Sequence, residues 1–243
     1  YAVINPGKKY KVVIEGHADE ISWFVNYISE KGYISVIRNG GSDHLIAPSM
    51  RVTMHTDKGP VKGVFGWPAI HTRTGKEADI TPSMDNIFID VGAADKKEVE
   101  AMGIHPGCVI TFDDGLTMIN NTFYTGRALD NRIGGFCIAE VARLIKENKK
   151  KLPFTLYIVN SVQEEIGLRG AEMIANTIQP DVAIVTDVCH DTNTPLVTTR
   201  KEGDLACGKG PVLTFAPAVH NKLLRQVRDV ADAKKIPVQL SAS

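Results

Sequence analysis

The order of strand-like and helix-like runs is the feature that most constrains the fold of this chain. After Asn121, helical and apolar strand patterns alternate along the sequence. That alternation is typical of a mostly parallel sheet covered by helices. The predicted elements there are a helix at 130–148, a strand at 154–159, a helix at 171–177, a strand at 182–185, a helix at 221–234 and a final strand near Val238. Together with a strand at 11–14, they predict an α/β fold.

A different pattern occupies residues 22–115. Short β-like segments separated by Gly, Pro and Asn predict strands at 23–28, 33–37, 52–55, 61–65, 87–91 and 108–112, with one short helix near 96–102. We interpret this segment as a β-rich insert domain. It interrupts a discontinuous α/β domain made of residues 1–21 and 116–243.

The amino-acid composition restricts which binding partners and which cellular compartment are expected. The chain has 28 Lys plus Arg and 28 Asp plus Glu, so its net charge is zero. This balance argues against nucleic acid or a membrane surface as a partner. Four cysteines without a Cys-x-x-Cys pair predict buried free thiols in a reducing, cytoplasmic setting. Since the chain starts at Tyr1 rather than Met and ends at Ser243 straight after a strand-like run, we expect pieces to be missing at both ends.

Chemistry-bearing side chains follow the predicted strands at their carboxyl ends. In open α/β sheets this edge is where ligands bind. The side chains expected to converge there are His17 and Asp19 after strand 11–14, Glu164 and Glu165 after strand 154–159, Asp187 after strand 182–185, and Asp130 at the start of a helix. Carboxylates gathered in one place repel one another unless cations are present. A mixture of imidazole and carboxylate suits zinc, cobalt or manganese.

The same segments resemble a known family, the M42 metallo-aminopeptidases, which include glutamyl and tetrahedral aminopeptidases and proteins sometimes labelled endoglucanases. The matching segments are Gly16–Ile21, Gly126–Arg132, Val162–Gly167 with Arg169–Ala171, and Thr186–Val188; Ile87–Gly92 matches within the insert. The resemblance implies a zinc-peptidase-like fold in which the insert is a dimerisation domain. It also implies a homo-oligomer, from a dimer to a dodecamer.

The resemblance further implies an enzyme that removes N-terminal residues from peptides with two divalent metal ions, most simply zinc or cobalt. Asp130 is expected to bridge the two ions, His17 and Asp187 to bind one, and Glu165 to bind the other. Glu164 is the implied general base that activates a metal-bridging water, and Asp19 is implied to orient His17. The family's C-terminal histidine ligand has no match here, so we expect it to be absent from this chain.

Other functions share parts of this pattern. A related metal-dependent amidohydrolase or deacylase needs similar ligands, and a non-catalytic peptide-binding assembly protein could keep the same scaffold. A glycosidase with paired carboxylates is disfavoured, because sugar grooves are rich in aromatic residues and this chain has 7% of them, with two Trp.

Overall fold

A four-stranded sheet and a closed six-stranded barrel are the main features of the fold. The structure, a computed structural model, describes residues 1–75 and 79–243. The chain forms two compact units, Tyr1–Asp187 and Val188–Ser243. Within the described ranges, every helix is too short or too polar to traverse a lipid bilayer.

The first unit holds most of the regular structure. Its strands are β1 (Ala2–Ile4), β2 (Lys11–His17), β3 (Ser22–Ile28), β4 (Ile34–Asn39), β5 (Arg51–Thr56), β6 (Gly59–Gly66), β7 (Phe88–Asp90), β8 (Val109–Phe112), β9 (Thr117–Ile119), β10 (Phe123–Thr125), β11 (Thr155–Ser161) and β12 (Val182–Val185). Its helices are α1 (Lys96–Ala101), α2 (Leu129–Glu147) and α3 (Arg169–Ile178), with a 3-10 turn at Ile70–Thr72.

The four-stranded sheet has the order β1-β11-β2-β12 and is partly parallel. Strands β11 and β12 run parallel to β2, whereas β1 is antiparallel to β11. Strand β2 lies between two parallel neighbours and has a helix packed on each face, and all of its residues except Lys11 are buried. Val12 and Ile14 pack with Ile138 of α2, and Val13 packs with Ile178 of α3.

The closed barrel has the strand order β3-β4-β7-β6-β5-β8, with antiparallel neighbours. All six strands come from the segment predicted to be β-rich. Its largest buried side chain is Trp23. The Trp23 ring packs edge-to-face with the rings of Phe65 and Phe112, at centroid distances of 5.1 and 4.8 Å. Such edge-to-face packing adds to the stabilisation that burial alone provides.

The second unit, described by itself, contains α4 (Thr199–Glu202), β13 (Val212–Phe215), α5 (Asn221–Lys234) and β14 (Gln239–Ala242). Strands β13 and β14 pair in parallel, and α5 connects them. The ring of His220 accepts a hydrogen bond from the backbone N–H of Leu223 and so caps α5.

Two expectations about local structure need correction. Only Cys108 is buried, while Cys137, Cys189 and Cys207 are exposed, so the prediction of buried thiols was wrong for three positions. Short elements were missed, namely β1, the β9-β10 hairpin, β13 and α4. Each has only three or four residues, too few to show a hydrophobic period.

Candidate metal centre

The carboxyl ends of three neighbouring strands place the candidate residues at one edge of the sheet. Ser161 ends β11 and is in register with His17, which ends β2. Glu164 and Glu165 follow shortly after β11, and Asp187 follows two residues after the end of β12. Parallel strands end at a common edge, so side chains far apart in sequence are brought together there.

A close approach between Gly16 and the start of α2 brings Asp130 to the same edge. A Cβ atom on Gly16 would lie 2.9 Å from the backbone carbonyl carbon of Gly134 and 2.9 Å from Thr186 Oγ1. Only a residue without a side chain fits between them without displacing backbone. The glycine therefore lets the first turns of α2 lie directly against the end of β2.

Asn131 ties the start of α2 to the end of β12. Its buried side chain accepts a hydrogen bond from the Gly134 N–H at 2.9 Å and donates one to the Thr186 carbonyl at 2.6 Å. Asp130 and Asn131 have non-helical backbone angles, so regular helix begins after Asn131 and Asn131 is its cap. The predicted helix start at residue 130 is therefore corrected: Asp130 lies in a non-helical turn, and Asn131 caps the regular helix that follows.

His17, Asp130 and Asp187 form a cluster with ligand spacing. One ligand atom from each lies within 4.8 Å of the other two. His17 Nε2 is 2.9 Å from Asp130 Oδ1 and 3.8 Å from Asp187 Oδ1. His17 is almost fully buried, whereas both aspartates are about half exposed. One imidazole and two carboxylates are a donor set that suits a divalent metal, and the open side leaves room for a further ligand.

Asp19 contacts the two neighbouring segments of the site. The His17 ring nitrogen Nδ1 lies 3.2 Å from the Asp19 backbone oxygen and 3.5 Å from Asp19 Oδ1, so Nε2 faces the cluster. The Asp19 carboxylate also accepts hydrogen bonds from the backbone N–H groups of Glu164 and Glu165, at 3.1 and 3.2 Å. The loop that carries the two glutamates is thus held by the same residue that contacts the histidine.

The gathered charges shift the pKa values of the site. Burial lowers the pKa of His17, but the surrounding carboxylates outweigh burial and raise the pKa above its usual value. In decreasing order of effect these carboxylates are Glu164, Asp130, Asp187 and Asp19. For Glu164 itself, burial is the main cause of a raised pKa; His17 opposes it, and the three aspartates add to it. The site favours binding of positive charge.

Glu165 lies beside this cluster rather than within it. Burial, followed by the charge of Asp130, raises the pKa of Glu165. Gly40, in the loop after β4, packs closely on Glu165, because a Cβ there would lie 3.1 Å from the Glu165 Cβ. The predicted role of Glu165 as ligand of a second metal ion stays a prediction, as do the individual roles of the other site residues.

Two residues that sequence reasoning did not assign are part of the arrangement. Glu20 contacts Arg132 and Arg127, at 3.0 and 3.5 Å, and Asn131 bridges two elements as described above. Both lie inside the segments that carried the family resemblance, but a contact between residues so far apart in sequence has no local pattern that predicts it.

Comparison with known proteins identifies the family. The family model described as M42 glutamyl aminopeptidase matches residues 1–243. The chain belongs to the M42 peptidase family. A lysyl aminopeptidase of Pyrococcus furiosus is 35% identical over 242 residues, covering 98% of this chain and 67% of that protein. The chain spans about two thirds of the length of the curated relatives that it matches.

Solved structures of TET peptidases share the fold. The TET aminopeptidase of the marine sediment archaeon Thaumarchaeota archaeon SCGC AB-539-E09 superposes with a TM-score of 0.93 at 31% identity, covering 99% of this chain and 68% of that one. The Pyrococcus horikoshii TET1 peptidase, which can assemble into a tetrahedron or a large octahedral shell, has a TM-score of 0.81 at 25% identity and covers 99% and 71%. The mixed α/β fold of this M42 chain is therefore that of the TET aminopeptidases.

Proposed function

We propose that this M42 chain carries the metal centre of an aminopeptidase that removes N-terminal residues from peptides with divalent metal ions. The observation that carries the proposal is the cluster of His17, Asp130 and Asp187, with ligand atoms within 4.8 Å of one another. Family membership supports a peptidase over other uses of such a cluster.

In this proposal one ion binds His17, Asp130 and Asp187, and a second ion binds Asp130 and Glu165. The cluster supports the first site, and the charge of Asp130, which adds to burial in raising the pKa of Glu165, supports the second. Zinc or cobalt suits a mixture of imidazole and carboxylate. Two such ions, when bound, lower the pKa of water and polarise the peptide carbonyl. The direction of the His17 ring supports this arrangement, because Nδ1 faces Asp19 and Nε2 faces the carboxylates.

Glu164 is the proposed general base. Its carboxylate is 3.7 Å from His17 Nε2 and therefore at the edge of the cluster. Burial raises its pKa, which brings a carboxylate closer to the range in which it both accepts and returns a proton near neutral pH. In the proposed mechanism Glu164 accepts a proton from the attacking water and delivers it to the nitrogen of the leaving amine.

The barrel is proposed to be a separate domain, residues 22–115, that mediates dimerisation within a homo-oligomer. The α/β domain would then comprise residues 1–21 and 116–243. Support comes from the six barrel strands, which all fall within that segment. The shell-forming TET1 peptidase of similar fold supports assembly beyond a dimer. Peptides are the proposed substrates, with neither nucleic acid nor membrane as a partner.

The decisive experiment measures hydrolysis of a panel of aminoacyl p-nitroanilides before and after treatment with a chelator. We expect turnover to disappear with the chelator and to return when zinc or cobalt is added. Hydrolysis of N-acylated amines alone would instead indicate a deacylase. Metal binding without turnover on either panel would indicate a peptide-binding protein.

Replacing His17 with Ala is expected to weaken zinc or cobalt binding by more than the roughly 10- to 100-fold that loss of a ligand-orienting residue costs, because a ligand itself is lost. Titration calorimetry measures the affinity. The matched control is His55→Ala, since His55 is exposed on the barrel, where its ring contacts Thr111. Equal affinity of the His17 variant and the wild type would contradict the proposed site.

A further inference from the structure

Asp130 has the most exposed side chain of the three cluster residues. Its side chain is 54% exposed, so burial does not hold it in place. Its backbone angles, φ −82 and ψ 108, are not helical, so the geometry of α2 does not fix it either. Besides the contact of Asp130 with His17, the turn is joined to the sheet through Asn131, and the residues on either side of Asp130 make a further connection.

Those flanking residues include two arginines that meet one carboxylate. Arg127 precedes Asp130 by three positions and Arg132 follows it by two. The guanidinium Nη2 atoms of both lie close to the same oxygen, Glu20 Oε1, Arg132 at 3.0 Å and Arg127 at 3.5 Å. The Glu20 side chain is only 15% exposed. A charge-assisted contact made by a largely buried carboxylate is stronger than an open surface pair.

Glu20 is connected through the backbone to the rest of the site. It follows Asp19, which contacts the His17 ring and accepts the backbone hydrogen bonds of Glu164 and Glu165. The two successive acidic residues after β2 therefore contact different parts of the site. Asp19 contacts the glutamate loop and the histidine, and Glu20 contacts one arginine on each side of Asp130.

We propose that Glu20 is a positioning residue that, through Arg127 and Arg132, holds the Asp130 turn against the end of β2 and so sets the metal affinity of the centre. This inference rests on the proposed function, because metal binding is what the positioning serves. Glu20 itself contributes no atom to the cluster of three. It acts on the distance between Asp130 and His17, which are 113 positions apart in the sequence.

The test compares zinc and cobalt affinities, measured by competition with a chromogenic chelator, for the wild type and Glu20→Gln. The amide keeps the size of the side chain but removes the charge that holds the guanidinium groups. We expect metal affinity to fall about 10- to 100-fold, as is usual when a residue that orients a ligand is lost. The urea midpoint of unfolding is measured in parallel, so that metal affinities are compared only between proteins that are folded under the assay conditions.

Two further variants separate positioning from a general effect of charge or folding. Arg132→Gln replaces an exposed side chain, removes one of the two ion pairs and should also weaken metal binding. In the double variant Glu20→Gln/Arg132→Gln, the fold-loss in metal affinity should be smaller than the product of the two single fold-losses. Glu140→Gln breaks the exposed pair of Glu140 with Arg143 on α2 and should leave metal affinity unchanged.

The outcomes distinguish this inference from the proposed function. Wild-type affinity in both Glu20→Gln and Arg132→Gln would overturn the positioning role while the metal centre stands. An equal loss in Glu140→Gln would also overturn it, because any lost carboxylate would then have the same effect. If the wild type itself binds neither metal, the proposed function fails and the inference fails with it. Should Glu20→Gln not fold, Arg132→Gln alone decides.

Discussion

Replacing Glu164 with Gln is expected to lower turnover of aminoacyl substrates by about 10²- to 10⁴-fold, the range associated with loss of a general acid or base. A glutamine has nearly the same size but cannot accept the proton of the attacking water. Glu164 is outside the cluster of His17, Asp130 and Asp187, and its backbone N–H, which bonds Asp19, is unaffected. Metal content is therefore expected to stay at the wild-type level. Atomic emission spectroscopy measures the metal content, and steady-state kinetics on the same samples give kcat and KM.

The matched control for this prediction is Glu172→Gln, an exposed glutamate on α3 that follows the same loop. It removes one negative charge near the sheet edge without touching the cluster, and its kcat should equal that of the wild type. If Glu164→Gln kept kcat within tenfold of the wild type at full metal occupancy, another residue would have to be the base.

Replacing Trp23 with Ala is expected to lower the free energy of unfolding by about 3–5 kcal/mol, the range for an aromatic side chain removed from a core. Trp23 is 1% exposed and packs edge-to-face against Phe65 and Phe112. Its removal leaves a cavity in the barrel and ends two aromatic contacts. Urea denaturation followed by circular dichroism measures the change.

Tyr27→Ala is the control on the same strand, because Tyr27 is 55% exposed and its loss should change the free energy of unfolding by less than about 0.5 kcal/mol. Similar urea midpoints for the two variants would show that the barrel core does not depend on Trp23. A transition for the Trp23 variant alone that separates into two steps would support the proposed division into barrel and α/β domains.

The strands of the barrel and the long helices could be predicted because their signals are local. Apolar alternation between Gly, Pro and Asn gave the six barrel strands to within one or two residues, and β12 and α5 have the predicted bounds. The start of α2 was harder to predict from the sequence. Asp130 was expected to open regular helix, but the Asn131 side chain caps the helix from within and leaves Asp130 in a non-helical turn.

The candidate site was predictable only at the level of strand ends. Because parallel strands end at a common edge, His17 and Asp187 could be expected near one another, and the structure brings them together with Asp130. The contacts of Glu20 could not be anticipated, since its partner Arg132 is 112 residues away and no local pattern encodes the pair. For the same reason, the approach of Gly16 to Gly134 appears only once the helix is packed on the sheet.

The separation of the cluster residues along the chain has a consequence for stability. A metal ion held by His17 and Asp130 would act as a reversible cross-link between points 113 residues apart. Closing so long a loop restricts the unfolded chain strongly, in the way a disulfide does. Because the three side chains meet only in the folded chain, the urea midpoint of the wild type should rise with zinc concentration and that of His17→Ala should not. The metal would then stabilise the folded chain as well as take part in catalysis.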